Sequence, residues 1–359
     1  FRNRLDETIQ FNYLDKTIIL SIVDKFLTKL QAQLDKRNVE IVVSKAVINW
    51  IADNGYDKEM GARPMERFIA KNIKNIDQRI FKTLHPRSER LKALSKTIFK
   101  TLILKIDERQ IATLTINRPD VHNALSLEMI RELRQVVVDL NKHTDVRAVI
   151  LTGSGKSFCA GADLRWMQKI ATQKREDRIA EATELSEMLG ELDQLKMPLI
   201  GRINGLSFGG AVGLIACCDI AVAVDDALFS LTEVLLGLLP ATISPYVLRR
   251  IGASNARRLM LNAHRFAAEE AVSLGLIAKS VSADKLDEAV EEEISELLRC
   301  APDAVFAAKR LIAEVRGKEP DDVRNATIEK LANAWESESI KEGIDAFFSK
   351  RKPAWNPES

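Results

Sequence analysis

A single carboxylate, Glu233, sits inside the apolar run Phe229-Ser230-Leu231-Thr232-Glu233-Val234-Leu235-Leu236-Gly237-Leu238-Leu239-Pro240. Burial in such surroundings raises a carboxyl pKa toward neutrality, where the group carries protons well at physiological pH. Upstream, Ser157-Phe158-Cys159-Ala160-Gly161-Ala162-Asp163-Leu164 reads as a loop between a strand and a helical stretch. Its small residues let a ligand come close to the backbone, so that the Ala162 N–H can face a substrate oxygen. Between the two lies Asn204-Gly205-Leu206-Ser207-Phe208-Gly209-Gly210-Ala211-Val212-Gly213, a strand-to-helix turn. The unpaired N–H groups of a helix start, at the positive end of its dipole, suit developing negative charge. Two such donors form an oxyanion hole. Taken singly, each segment has a structural explanation, packing of small residues or a carboxylate on an exposed edge. In order within about 80 residues, the three together point to chemistry.

Positioning these segments takes strands and helices in alternation, and the pattern from Leu102 onward supplies them. Leu102–Ile106 and Ile111–Ile116 predict a hairpin pair, Ser126–Asn141 a helix, and Arg147–Thr152 a buried strand. Then come a helix over Glu176–Lys196, a strand over Leu199–Ile203, a glycine-led helix over Phe208–Cys218 and a strand over Ile220–Val224. From Ser254 helices dominate, ending in Pro302–Val315 and Asp321–Glu336. The order predicts an α/β layer architecture with a C-terminal helical region. A doubly wound dinucleotide fold would need G-x-G-x-x-G at its first turn, which the chain lacks. Thr152-Gly153-Ser154-Gly155-Lys156-Ser157 looks like the end of a phosphate loop, but the first glycine of that loop would fall on Ile150.

The bulk numbers bound what else the protein does. A chain of 359 residues, 46% hydrophobic and 29% charged, has enough apolar surface for a sizeable core and the length of about two domains. Its 53 basic and 51 acidic side chains leave a net charge of +2, so the overall field gives no reason to expect nucleic acid as partner. Cys159, Cys217, Cys218 and Cys300 form no CxxC pair and have no ligand-like spacing with the four histidines. Neither a disulfide framework nor a metal site is implied, and a reducing, cytoplasmic compartment is expected. No apolar run reaches the about 18 to 20 residues of a membrane span, and no signal peptide opens the chain. Phe1 in first place reads as a fragment or a processed product. Residues 1–81 read as a helical module, and residues 82–101 as a basic linker. Residues 82–105 carry seven Lys/Arg against the single acid Glu89.

With these motifs in hand, the region from Leu102 to the C-terminus resembles the crotonase, or enoyl-CoA hydratase/isomerase, family. The resemblance rests on Asn117-Arg118-Pro119 with Asn123-Ala124-Leu125, the CAGADL segment at 159–164, NGLSFGG at 204–210, Cys218-Asp219 and EVLLGLLP at 233–240. It implies a ββα spiral with core residues 102–298 and an oligomerising helical region at 299–359, assembled as a trimer or hexamer. It further implies an acyl-CoA thioester as substrate, with no separate cofactor and no metal. The amides of Ala162 and Gly210 would hold the thioester carbonyl, and Glu233 would stand for one of the family's two catalytic glutamates. CoA would lie over Arg118 and the Phe158–Arg165 loop, including Ala160, Asp163 and Arg165. Hydratases of the family usually carry a second glutamate in the helix after the oxyanion glycine, and that position here is Gly213. Either the chain is a one-glutamate isomerase, or it hydrates an acyl group whose own polar group, or another side chain, stands in. The stretch Pro240-Ala241-Thr242-Ile243-Ser244-Pro245-Tyr246-Val247 resembles bacterial methylglutaconyl-CoA hydratases. That similarity favours 3-methylglutaconyl-CoA, with Ser244, Tyr246 or the substrate carboxylate replacing the missing group and Ala241 and Gly213 lining the acyl site.

The first 80 or so residues are similar to the C-terminal subdomain of Clp-type AAA+ unfoldases, particularly the A-type, through Phe1–Asp6, Gly55-Tyr56-Asp57 and Gly61-Ala62-Arg63-Pro64-Met65. In that family arginines equivalent to Arg4 and Arg63 act on nucleotide, but the phosphate loop and Walker-B acid they serve are absent from this chain. Autonomous ATP hydrolysis is therefore not expected. The alternative role would be a non-catalytic adaptor that joins a Clp ring.

Overall fold

The computed structural model describes residues 15–35, 48–49, 51–53, 98–143 and 145–357. The chain divides into two compact units, Phe1–Pro86 and Arg87–Ser359. In the first, helix α1 (Lys16–Asp35) turns Ile19 and Val23 inward, one helical turn apart. These two bury with Ile51 and Ala52 in a small core flanked by Leu20, Ile22, Phe26, Leu27 and Ile48. Asp15 accepts from the Ile18 amide at 3.0 Å and so caps the helix start. Arg4, Val39–Val43, Gly55–Asp57, Gly61–Met65 and linker residues 82–97 lie outside the described residues.

The second unit is a crotonase-type ββα spiral built on two sheets. The larger sheet runs β1 (Leu102–Ile106), β2 (Ile111–Ile116), β3 (Ala148–Gly153), β5 (Leu199–Ile203), β7 (Ile220–Val224), β10 (Lys279–Val281). Only β1 and β2 pair antiparallel, as the expected hairpin; the other neighbours are parallel and joined by crossovers. β5 and β7 are buried except at Arg202 and Ile220, and apart from Arg202 they read as apolar runs rather than as alternating ones. Helix α2 (Leu127–Lys142) packs on this sheet with Met129, Ile130, Leu133, Val136, Val137 and Leu140, a period of three and four, and Ser126 caps its start.

The smaller sheet has the order β4 (Ser157–Cys159), β6 (Leu206–Phe208), β8 (Leu228–Ser230), β9 (Phe266–Ala267). β4, β6 and β8 are parallel neighbours of three residues each. No periodicity is legible in so few residues, and sequence reasoning finds none of the three. The expected helix over Phe208–Cys218 is accordingly shortened: β6 takes Phe208, and the helix, α5, runs Gly210–Cys217, after α3 (Leu164–Thr172) and α4 (Arg175–Asp193). A further difference is helix α6, which starts at Ser244 rather than near Ser254, with Pro245 in its first turn and a kink at Gly252. Downstream come α7 (Ala268–Ser273), α8 (Leu286–Leu298), α9 (Pro302–Val315), α10 (Pro320–Trp335) and α11 (Glu338–Phe348). No helix among the described residues is long and apolar enough to cross a membrane.

Candidate active site

The three chemistry-bearing segments follow the C-terminal ends of the three parallel strands of the small sheet. β4 ends at Cys159 and leads to Ala162, β6 ends at Phe208 and leads to Gly210, and β8 ends at Ser230 and leads to Glu233. Parallel strands with a common direction deliver their following loops to one edge, which is where open α/β sheets bind ligands.

The backbone pairing explains why Ala162 has a free donor. Leu125 forms a parallel bridge with Ala162 in which the Leu125 amide donates to the Gly161 carbonyl at 2.7 Å and the Asp163 amide donates to the Leu125 carbonyl at 2.8 Å. Residues 161 and 163 thus take the bridge bonds, and the Ala162 N–H points away from Leu125. Gly210 is the first residue of α5, so its N–H has no partner inside the helix. Among the described residues neither amide donates to a protein acceptor.

Two glycines bring the donors together. Gly161 has φ +90°, and a Cβ placed on it would lie 2.9 Å from the Phe208 carbonyl oxygen, so its loop lies directly against the Phe208-Gly209 turn. Gly209 has φ +53°, and a Cβ there would lie 3.1 Å from Glu233 Oε1. The Gly209 amide donates to the Ser230 carbonyl at 2.8 Å, continuing the pairing of β6 with β8 and setting Glu233 beside the turn. The Gly209-Gly210 turn therefore touches both the Ala162 loop and the Glu233 segment.

Glu233 opens a 3-10 turn, Glu233–Leu236, closed by Gly237 in the left-handed region. Its carboxyl is half-buried, and Oε2 is buried without a hydrogen-bond partner. Burial pushes its pKa above the ordinary carboxyl value, opposed only by its own backbone amide. Leu235, Leu236, Leu238 and Leu239 are exposed, so the apolar run around Glu233 is not itself core. The burial comes from the packed turn instead.

The remaining expected site residues fall into two groups. Arg118, Asp163, Arg165, Ala160 and Phe158 build the Ala162 loop. The Arg118 guanidinium donates to Asp163 Oδ2 at 2.7 Å and to the Ala124 carbonyl. Asp163 Oδ1 accepts from the Arg165 and Trp166 amides and caps α3. Burial works against that charge, but Arg118 and the two amides hold the Asp163 carboxyl below its usual range. The Ala160 amide donates to the His122 carbonyl at 3.0 Å, and Phe158 is fully buried, anchoring the loop from beneath. His122 has Ser157 Oγ at 3.0 Å from its Nδ1.

The second group lies at and just before the start of α6. Ser244 donates its hydroxyl to the Ala241 carbonyl at 2.8 Å. The Tyr246 hydroxyl lies against Gly190, and its ring lies under the Arg249 guanidinium at 5.3 Å. Burial raises the Tyr246 pKa, and Gly190 follows Leu189, whose carbonyl accepts from Cys217 Sγ at 3.6 Å, which places the Tyr246 hydroxyl by the C-terminal end of α5. Gly210 is at the other end, about 10 Å away at 1.5 Å per residue. Neither hydroxyl bonds to Glu233 in this structure. Gly213 itself faces Ile243, a residue to which sequence reasoning assigned no role. Among the described residues no group of three or more His, Cys, Asp or Glu could hold a metal ion.

A ββα spiral whose small sheet brings two free amides and one carboxylate with an unpartnered oxygen to a common edge defines a class of enzyme that stabilises an enolate oxygen and moves a proton beside it. The chain belongs to the enoyl-CoA hydratase/isomerase family, whose model matches residues 107–358, well over half of its length. It is 38% identical to an enoyl-CoA hydratase from Shewanella pealeana, whose crystal structure it matches with a TM-score of 0.70 over 74% of this chain and 99% of that one. A short-chain-enoyl-CoA hydratase of Clostridium acetobutylicum is 32% identical over 248 residues, covering 68% of this chain and 94% of the relative. A peroxisomal Δ(3,5)-Δ(2,4)-dienoyl-CoA isomerase of Arabidopsis thaliana is likewise 32% identical, over 268 residues, covering 71% of this chain and 96% of the relative. In the first unit, residues 14–85 match the model of the C-terminal, D2-small domain of ClpB protein, in agreement with the Clp-like reading.

Proposed function

We propose that the chain is a hydro-lyase that adds water to, or removes it from, a short or branched 2-enoyl-CoA, with 3-methylglutaconyl-CoA the favoured substrate. The observation that carries this reading is the pair of unpartnered amides, Ala162 and Gly210, on loops in contact beside the lone carboxylate Glu233. The thioester oxygen accepts from both amides. As the water oxygen bonds to the β-carbon, the double-bond electrons shift through the α-carbon and the carbonyl pair moves onto the thioester oxygen to give the enolate, while the Glu233 carboxylate takes the proton that water releases. When the enolate collapses, Glu233 returns the proton to the α-carbon. One carboxylate thus serves both steps from one face, which makes the addition syn. Each preorganised donor contributes on the order of 3 kcal/mol to the transition state.

The acyl group follows from what stands near Glu233. No second carboxylate is available at position 213, the Ser244 hydroxyl donates to the Ala241 carbonyl, and the Tyr246 hydroxyl lies against Gly190. A substrate that brings its own carboxylate near the β-carbon can orient the attacking water, which together with the Pro240–Val247 stretch supports 3-methylglutaconyl-CoA. The same single, unpartnered carboxylate supports a second reading, a Δ3,Δ2-enoyl-CoA isomerase in which Glu233 moves a proton between two carbons of the enolate. An acyl-CoA panel separates them, read by the conjugated thioester absorbance. Fastest turnover of 3-methylglutaconyl-CoA, with crotonyl-CoA slow, is expected. Turnover of a 3-enoyl-CoA alone would replace hydration with isomerisation.

We also place homo-oligomer formation, as a trimer or hexamer, in residues 299–359. Helices α9 and α10 bury no residue fully and expose Ile312, Ile328, Leu331 and Trp335, while Phe347 and Phe348 of α11 are each 78% exposed. Large apolar side chains exposed in such number on three consecutive helices support an interface there. Light scattering on the purified chain should give a multiple of the monomer mass; a monomer at all concentrations would refute the assignment.

A further inference from the structure

We infer that Ile243 sets which proton chemistry this site performs, by occupying the place where a side chain from the oxyanion helix would otherwise reach the substrate. The inference rests on the enolate reading above. Gly209, Gly210 and Gly213 lie three and four residues apart, so position 213 shares the face of α5 that carries the hole and abuts Glu233. That face is covered by two aliphatic side chains. A Cβ on Gly210 would lie 2.6 Å from Leu125 Cδ1, and a Cβ on Gly213 would lie 2.3 Å from Ile243 Cγ2 and 2.7 Å from its Cβ.

Distances that short leave room for hydrogen alone at position 213. Ile243 cannot simply turn aside. Its Cβ is among the close atoms, it is only 2% exposed, and it sits at the start of α6, where the Tyr246 and Val247 amides donate to its carbonyl. The result is an apolar wall at position 213 in place of a proton carrier. Water next to that wall has no protein carboxylate to activate it, so acyl groups that supply their own polar group are favoured over simple alkyl chains.

The test uses the full chain and the variants Gly213→Ala, Gly213→Glu, Ile243→Ala, Ile243→Gly, and the pairs Gly213→Ala/Ile243→Ala and Gly213→Glu/Ile243→Gly. Thermal melting should fall by several degrees in Gly213→Ala, and the paired alanine variant should lose less than the two single changes added together. In the glutamate pair, hydration of crotonyl-CoA should rise about tenfold or more over Ile243→Gly, the low end of what a positioned second acid or base contributes. The inference is overturned if Gly213→Ala melts with the native chain, or if the two alanine changes simply add. It is equally overturned if the glutamate pair folds and binds a CoA ester normally without a gain on crotonyl-CoA. Should the glutamate pair fail to fold, the alanine cycle alone decides. The melting cycle reads the wall without reference to turnover, whereas the acyl-CoA panel on the native chain reads the proposed reaction, so failure of one is distinguishable from failure of the other.

Discussion

Glu233→Gln should lower kcat/KM by about 10²- to 10⁴-fold, the range for removing a positioned acid or base, while leaving affinity for a CoA ester nearly unchanged. Glu233 is the carboxylate that stands at Gly209, and its Oε2 makes no hydrogen bond that the amide would break. The pH dependence adds a second readout. Catalysis by this reading needs the ionised carboxylate, and burial raises its pKa above 4.5. The acid limb of kcat/KM should therefore lie above pH 4.5, and a limb at or below that value would remove Glu233 from the rate equation. Stability responds with the opposite sense. A carboxyl whose pKa is raised by folding binds its proton more tightly in the folded state, so stability declines as pH rises from 4.5 through the raised value. Glu233→Gln removes that loss, and the variant should melt no lower, and by this argument higher, than the native chain at neutral pH. An inactive variant that also unfolds early would show a structural rather than a chemical defect.

Gly161→Ala should lower kcat/KM by about 10²- to 10³-fold, the effect of losing one oxyanion donor, with Glu233 untouched. The added methyl would meet the Phe208 carbonyl oxygen at 2.9 Å, a backbone atom held in β6, and alanine is disfavoured at φ +90°. Relief requires the Ala162 loop to move away from the Gly209 turn, which separates the Ala162 and Gly210 amides. The loss should appear in kcat more than in CoA-ester affinity, because the hole acts on the transition state. Equal loss in binding and turnover would point instead to collapse of the whole loop, and native kinetics would separate Gly161 from the hole altogether.

Much of the site is legible in residue types and spacing. The small-residue loop at 157–164, the glycine turn at 204–213 and the lone Glu233 declare themselves by residue type, because free backbone donors need residues without bulk and a proton carrier needs an ionisable group. The long elements are legible too: β1, β2, β5 and β7 fall where the apolar runs put them, and α2 follows its three-and-four spacing. What local pattern does not reveal are β4, β6 and β8. Each is three residues long and held by its neighbours in the sheet rather than by its own sequence, yet these strands aim all three site segments at one edge.

By itself the sequence determined the chemical inventory: two candidate amide donors, one carboxylate and a glycine at 213. Only the tertiary structure decided how they meet. The bridge from Leu125 turns the Ala162 amide outward, and contacts between glycines of distant segments bring the hole to Glu233. The hydroxyl of Tyr246 is carried off toward Gly190, and Ile243, thirty residues beyond Gly213, closes the space beside it. These are contacts across the fold, set by close packing of segments far apart in the chain, and no local spacing encodes them.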